Sequence, residues 1–195
     1  KRVLDGYQIN NDDLRVLFYT AGEKINDIAN VANEINFLKN GNKVSYVKNR
    51  NINYTNQCYY KCGFCGFSKG PNSLNLKEKP YTIDIQEVVE RTIEAYDKGA
   101  SEVCLQGGIH PDYTGEFYLK MVEDIKASVP EIHIHGFTPL EIWQGAETIG
   151  LSVEEYLSLL KKAGLDTLPG TAAEILDDRV RTVSYTHLTL PTRIF

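Results

Sequence analysis

Cysteine is scarce in this chain: four residues in 195, three of them inside one short stretch. A disulfide framework, which belongs to small, cysteine-dense secreted chains, fits poorly, and no secretory signal is seen. No apolar run approaches the ~20 residues of a membrane span. Basic charge is not in excess either. With 26 acidic against 21 basic residues the net charge is -5, which removes the electrostatic case for a nucleic-acid partner. Low-complexity linkers are lacking. What remains is an ordinary globular composition, 42% apolar and 24% charged, at about the length of one large domain. The expectation is a soluble, cytoplasmic protein whose thiols stay reduced and available to metal.

The most informative stretch is 53–70, Asn-Tyr-Thr-Asn-Gln-Cys-Tyr-Tyr-Lys-Cys-Gly-Phe-Cys-Gly-Phe-Ser-Lys-Gly. Cys58, Cys62 and Cys65 are separated by three residues and then two. Thiolates packed this closely repel one another and oxidise unless a cation holds them. Iron–sulfur clusters are held by cysteines on short loops of this kind. Three ligands would leave one iron of a four-iron cluster open to an outside ligand. Zinc would more often show paired Cys-x-x-Cys units, whereas the fourth cysteine, Cys104, stands alone in an apolar strand pattern. The spacing also differs from the ferredoxin run. It favours a cluster over zinc and over incidental thiols.

Along the chain, 12–19 reads as a short helix. Thr20-Ala-Gly-Glu23 reads as a capping box opening a second helix, with Ile25, Ile28, Ala32 and Ile35 on one face and a stop at Gly41. Residues 44–54 alternate like a strand and lead directly into the cysteine loop. A helix follows from Ile85 to about Lys98, with Ile85, Val88, Val89, Ile93 and Tyr96 expected on its buried face. Strand 100–106 opens into Gly107-Gly108-Ile109-His110-Pro111, and helix 116–128 leads to strand 131–137. Ser152-Val-Glu-Glu155 caps a helix that stops at Gly164; strand 165–168 and a last helix complete the pattern. Four strand–helix alternations with short loops imply a parallel sheet with helices outside it, a βα barrel or a doubly wound sheet. An eight-unit barrel takes about 250 residues, so four units are part of one. In such folds the strand C-termini carry the chemistry, and the cysteine loop, Gln106-Gly107-Gly108, 135–138 and 169–171 all fall there.

Each feature also has a bland reading. Gly107-Gly108 lets a backbone approach a ligand closely, or simply ends a strand. His110, His133 and His135 could move protons, though most strand histidines do not. Glu174 could contact a ribose hydroxyl, but Thr171-Ala-Ala-Glu174 is also a capping box. Asp177-Asp178 reads as a solvated face, and Trp143 and Tyr113 as pocket lining or packing.

The cysteine spacing, with the aromatic Phe64 just before the third cysteine, resembles the signature of radical S-adenosylmethionine (SAM) enzymes. The resemblance implies a 4Fe-4S cluster on Cys58, Cys62 and Cys65, with its open iron chelated by the amino and carboxylate groups of SAM. It further implies that the turn at Gln106, Gly107 and Gly108 binds the SAM amino group, and that the fold is a TIM-like (βα) barrel, here partial and incomplete at its C-terminal side. Asn49-Arg-Asn-Ile-Asn-Tyr-Thr-Asn56, Leu105-Gln-Gly-Gly-Ile-His-Pro111, His133-Ile-His-Gly-Phe-Thr-Pro139 and the 168–178 stretch are similar to one branch, the 5-amino-6-(D-ribitylamino)uracil–L-tyrosine 4-hydroxyphenyl transferases of deazaflavin coenzyme biosynthesis. Menaquinone-pathway radical SAM enzymes (aminofutalosine synthase and dehypoxanthine futalosine cyclase) are the neighbouring branch. They tend to carry Pro-Gly-Gly-Gly-Ala-Glu where this chain has Pro169-Gly-Thr-Ala-Ala-Glu174. A non-catalytic metal-binding fragment is the remaining alternative.

The branch implies cleavage of the tyrosine Cα–Cβ bond and transfer of the 4-hydroxybenzyl group to the ribitylaminouracil. Its implied partners are the two small substrates, an electron donor and a companion radical SAM subunit. The chain begins at Lys1 rather than methionine, so its natural start is expected upstream. The tail 183–195 resembles a translated sequencing-library adapter and is set aside. The expected division is a helical segment 1–43, a radical SAM core 44–182, and that tail.

Overall fold

The computed structural model describes residues 3–60, 65–68, 79–170, 177 and 179–180. The chain forms two compact units, 1–46 and 47–195.

The first unit carries helices α1 (Asn11–Tyr19) and α2 (Lys24–Asn40). Asn10 starts α1: its side chain accepts from the Asp12 and Asp13 amides at 2.9 Å, and Asp13 returns a bond to the Asn10 amide. Gly41, at φ 63°, stops α2 as expected. The Thr20–Glu23 capping box does not form. Thr20 instead finishes α1, giving its hydroxyl to the Val16 carbonyl at 2.7 Å, and Glu23 caps α2 without a side-chain bond. The helix α2 starts only after Glu23, so Thr20 stands three residues ahead of the position from which it could accept a first-turn amide.

The second unit alternates strand and helix: β1 (Asn49–Asn53), α3 (Ile85–Asp97), β2 (Glu102–Gln106), α4 (Gly115–Ser128), β3 (His133–Gly136), α5 (Pro139–Thr148) and α6 (Val153–Ala163). The strands form a parallel sheet in the order β1-β2-β3, with Ile52 beside Leu105 and Val103 beside Ile134. These four side chains are fully buried and, with Val88, Met121, Val122, Ile125, Tyr156 and Leu160 from the helices, make the core. The other face of the sheet is polar and half-open: Cys104 lies in register between Asn51 and His135, and Gln106 beside Asn53.

Several elements differ from the sequence reading. β1 begins at Asn49, five residues later than expected, because its partner β2 begins only at Glu102; Val44 and Tyr46 are 92% and 87% exposed. α3 buries Val88, Val89, Thr92 and Ala95, leaving Ile93 and Tyr96 more than a third exposed. Thr92 can join the apolar face because its hydroxyl turns back onto the Val88 carbonyl at 2.9 Å. The helix α5 was not anticipated, although Thr138-Pro-Leu-Glu141 is a capping box with proline at the first turn. The expected strand 165–168 reduces to one parallel bridge, His135 to Thr167. There the Asp166 carboxylate, paired with Lys126 at 2.9 Å, takes the Ile134 amide at 2.8 Å, so a side chain occupies one rung of the ladder. The last helix, from 174, and the tail lie outside the described residues apart from 177 and 179–180.

Candidate functional site

β1 runs on into Tyr54, Thr55 and Asn56, all fully buried, before reaching Gln57 and Cys58. Their polar groups are paired on two sides. Toward residues 79–83, Asn56 accepts the Tyr81 amide at 2.8 Å and donates to the Lys79 carbonyl at 3.0 Å, while the Thr55 hydroxyl donates to the Tyr81 carbonyl at 2.8 Å. Toward β2, the Gly108 amide donates to the Thr55 carbonyl at 2.9 Å and the Tyr59 amide to the Ile109 carbonyl at 3.1 Å. The approach to Cys58 is therefore clamped between two segments distant in sequence.

Gly107 and Gly108 are required where they stand. A Cβ at Gly107 would lie 2.4 Å from the Tyr54 ring, and one at Gly108 would lie 2.2 Å from the Gln57 carbonyl and 2.9 Å from the Cys58 Cβ. The missing side chains let the β2 turn rest directly on the start of the cysteine loop. Of the other expected site residues, Gln106 ends β2 half-buried, and Cys58 and Cys65 are half-buried thiols outside any disulfide; the Cys65 sulfur accepts the Ser68 amide at 3.4 Å. Cys62, Phe64 and Glu174 lie outside the described residues. Among the described residues no three His, Cys, Asp or Glu side chains converge as a metal site.

The histidines divide. His110 stacks on Tyr113 with ring centres 4.5 Å apart, at the β2 turn. His133 and His135 meet at one hydroxyl on the polar face of the sheet: Thr167 Oγ1 is 2.8 Å from His133 Nε2 and 2.7 Å from His135 Nδ1.

Two buried groups had no expected role. Glu141, wholly inaccessible, accepts the Gly107 amide at 3.1 Å, the Thr138 amide at 2.7 Å and the Tyr54 hydroxyl. Burial pushes its carboxyl up to about 8, against the two amides that favour the ionised form. Its capping-box motif was legible; its contact with the glycine turn was not. Tyr118 is 1% exposed, and its hydroxyl has no hydrogen-bond partner among the described residues. Burial raises its pKa, followed by the charges of Tyr113, Cys58 and Tyr59. A buried, unpartnered hydroxyl near Cys58, and two half-buried thiols on one short loop, suit thiolates that hold a sulfur-rich group.

The profile of the Radical SAM superfamily matches residues 52–188. The chain belongs to the radical SAM superfamily. Members of this superfamily use a 4Fe-4S cluster and SAM. The chain is 48% identical over 141 residues to the 5-amino-6-(D-ribitylamino)uracil–L-tyrosine 4-hydroxyphenyl transferase of Methanopyrus kandleri, covering 72% of this chain and 37% of that one. It is 46% identical over 152 residues to transferase 1 of the same name from Methanosarcina barkeri, covering 78% and 38%. It is 40% identical over 179 residues to the FO synthase of Streptomyces avermitilis, covering 92% and 20%. The chain thus spans between a fifth and two fifths of these curated relatives. Among solved structures, methylornithine synthase (PylB) matches with a TM-score of 0.59 at 17% identity, over 94% of this chain and 61% of that one. HydG, a maturase of the FeFe-hydrogenase, matches with a TM-score of 0.61 at 17% identity, over 86% and 34%. The open parallel sheet with outer helices is accordingly part of a radical SAM, TIM-like barrel. No helix among the described residues is long and apolar enough to cross a membrane.

Proposed function

We propose that the protein carrying this chain is a tyrosine-cleaving radical SAM transferase that joins the 4-hydroxybenzyl group of L-tyrosine to 5-amino-6-(D-ribitylamino)uracil. The observation that carries this reading is the 46–48% identity to transferases of that name over 72–78% of this chain. In this reading Cys58, Cys62 and Cys65 would hold the 4Fe-4S cluster, and Phe64 would be one of the residues that bind the cofactors. When bound, cluster and SAM supply one-electron chemistry and the power to abstract a hydrogen atom.

The chain's own work is placement. The Asn56 and Thr55 clamps fix where Cys58 stands, and the turn at Gln106, Gly107 and Gly108 receives the SAM amino group. Glu174 would contact a ribose hydroxyl of SAM. The polar sheet face, with Asn51, Cys104 and His135 in one row, gives polar substrates hydrogen-bonding groups. Tyr54, Tyr118 and Phe137, buried and packed on one another, give the strand ends a dry apolar base. An external electron donor and a companion radical SAM subunit are the partners, and the cytoplasm is the compartment; neither nucleic acid nor membrane is involved. A helical segment, 1–43, precedes the radical SAM core, 44–182.

The test uses the full-length protein, reconstituted with iron and sulfide without oxygen and given SAM, reductant, tyrosine and the ribitylaminouracil. Mass spectrometry should find the hydroxybenzyl–uracil adduct with 5′-deoxyadenosine. Deoxyadenosine without adduct would move the assignment to the menaquinone branch. Neither product from protein with a full cluster would overturn the proposed reaction.

A further inference from the structure

Glu141 does more than its helix requires. The reciprocal box that starts α5 needs one carboxylate oxygen: Oε2 accepts the Thr138 amide at 2.7 Å, and the Thr138 hydroxyl answers to the Glu141 amide at 3.2 Å. Glu155, which fills the same position at the start of α6, makes its box from the exposed surface. Glu141 is instead fully buried, a placement that costs several kcal/mol unless the group is well bonded. Its second oxygen, Oε1, is taken by the Gly107 amide at 3.1 Å and by the Tyr54 hydroxyl. The same carboxyl therefore joins three places: the β2 turn, the end of β1 that leads to Cys58, and the first turn of α5.

What this does to the turn follows from peptide geometry. Glu141 pins the peptide plane before Gly107, and the Thr55 carbonyl pins the plane after it, through the Gly108 amide at 2.9 Å. Glycine alone would rotate freely between those planes. Held at both, it cannot. Because a trans peptide aims its carbonyl opposite its amide, the Gly107 carbonyl is turned to the side away from Thr55. A fixed carbonyl acceptor on a turn that rests against the start of the cysteine loop suits an amino-group donor.

We propose that Glu141 is a positioning residue for SAM, holding the Gly107 peptide so that the turn meets the SAM amino group at a set distance from the cysteine loop. This rests on the reading of Gly107 and Gly108 as the amino-group site given above. Glu141 touches neither SAM nor the reacting atoms; it acts through the turn.

The experiment measures SAM affinity by equilibrium dialysis, on the full-length, cluster-loaded protein, beside iron and sulfide content and the electron paramagnetic resonance change of the reduced cluster on adding SAM. Glu141→Leu removes every acceptor. It should weaken SAM binding about tenfold or more, with iron and sulfide unchanged. Glu141→Gln keeps an oxygen for the Gly107 amide and should restore binding to within about threefold, with the wild-type spectral change. Should Glu141→Leu fail to fold, Glu141→Asp replaces it: one methylene shorter, it withdraws the acceptor and should also weaken binding. Wild-type affinity in Glu141→Leu or Glu141→Asp with a full cluster would overturn the proposal and leave the radical SAM reading standing. A glutamine variant as weak as the leucine one would trace the loss to packing and overturn it too. Wild-type protein with a full cluster that binds no SAM would overturn both.

Discussion

The rim around Cys58 and the helices α1 and α2 sort their side chains in opposite ways. At the rim, Thr55, Asn56 and Glu141 are polar and 0% exposed. In α1 and α2, Phe18, Tyr19 and Leu38 are apolar and 85%, 87% and 68% exposed, and neither helix contains a buried residue. Thr55, Asn56 and Glu141 each have named partners at hydrogen-bond distance, which offset their lost hydration and hold the approach to the loop in one geometry. The N-terminal helices draw on local devices, the Asn10 capping box and the Gly41 stop, with no core of their own. Structure imposed by distant partners is thus concentrated at the approach to Cys58, and structure imposed by neighbours in sequence serves in α1 and α2.

Substitutions should break this contrast unevenly. The largest effect belongs to the thiols. Cys58→Ala or Cys62→Ala should bring iron and acid-labile sulfide to background after reconstitution, because the two remaining cysteines of the loop cannot hold the cluster. Next is Glu141. Its folded carboxyl is raised from 4.5 to about 8, so folding favours the protonated form. That contribution is complete below about pH 4.5, falls as pH rises, and is gone above about 8. Against Glu141→Gln, which does not titrate, the wild type should lose about 1.4 kcal/mol of stability per pH unit across that window, read by urea unfolding at several pH values. Parallel curves would remove the buried carboxyl from the account.

Gly108→Ala should cost about 1–3 kcal/mol, since its Cβ would meet the Gln57 carbonyl at 2.2 Å and the backbone must give way. Unchanged stability would mean that the turn does not rest on the loop. A purely local change should be milder: Ser152→Ala removes the bond to the Glu155 amide and should cost about 1 kcal/mol. The smallest effect is expected at Phe18→Ser, within about 0.5 kcal/mol, because an exposed ring has little packing to lose. A large loss there would show that α1 packs against something, and the contrast between the two regions would fail.

The sequence by itself determined whatever depends on near neighbours. The strand–helix order from β1 to β3, the Ser152 box and the Gly164 stop could be read from it, and so could the meeting of the cysteine loop, the glycine turn and the 135–138 stretch at one edge of the sheet. Helix caps, period and parallel connection are local rules, and they place those loops on one rim whatever the packing inside. Only the tertiary structure decided the rest. Where β1 starts depends on where β2 offers a partner. Which face of α3 is buried depends on Thr92 hiding its hydroxyl. Whether 165–168 completes a strand depends on the Asp166 carboxylate at the Ile134 amide. Glu141 is the clearest case, because its capping motif is written in four consecutive residues while its partners Tyr54 and Gly107 lie 87 and 34 positions away. A buried carboxyl takes its role from the donors that surround it, and folding alone brings those donors together.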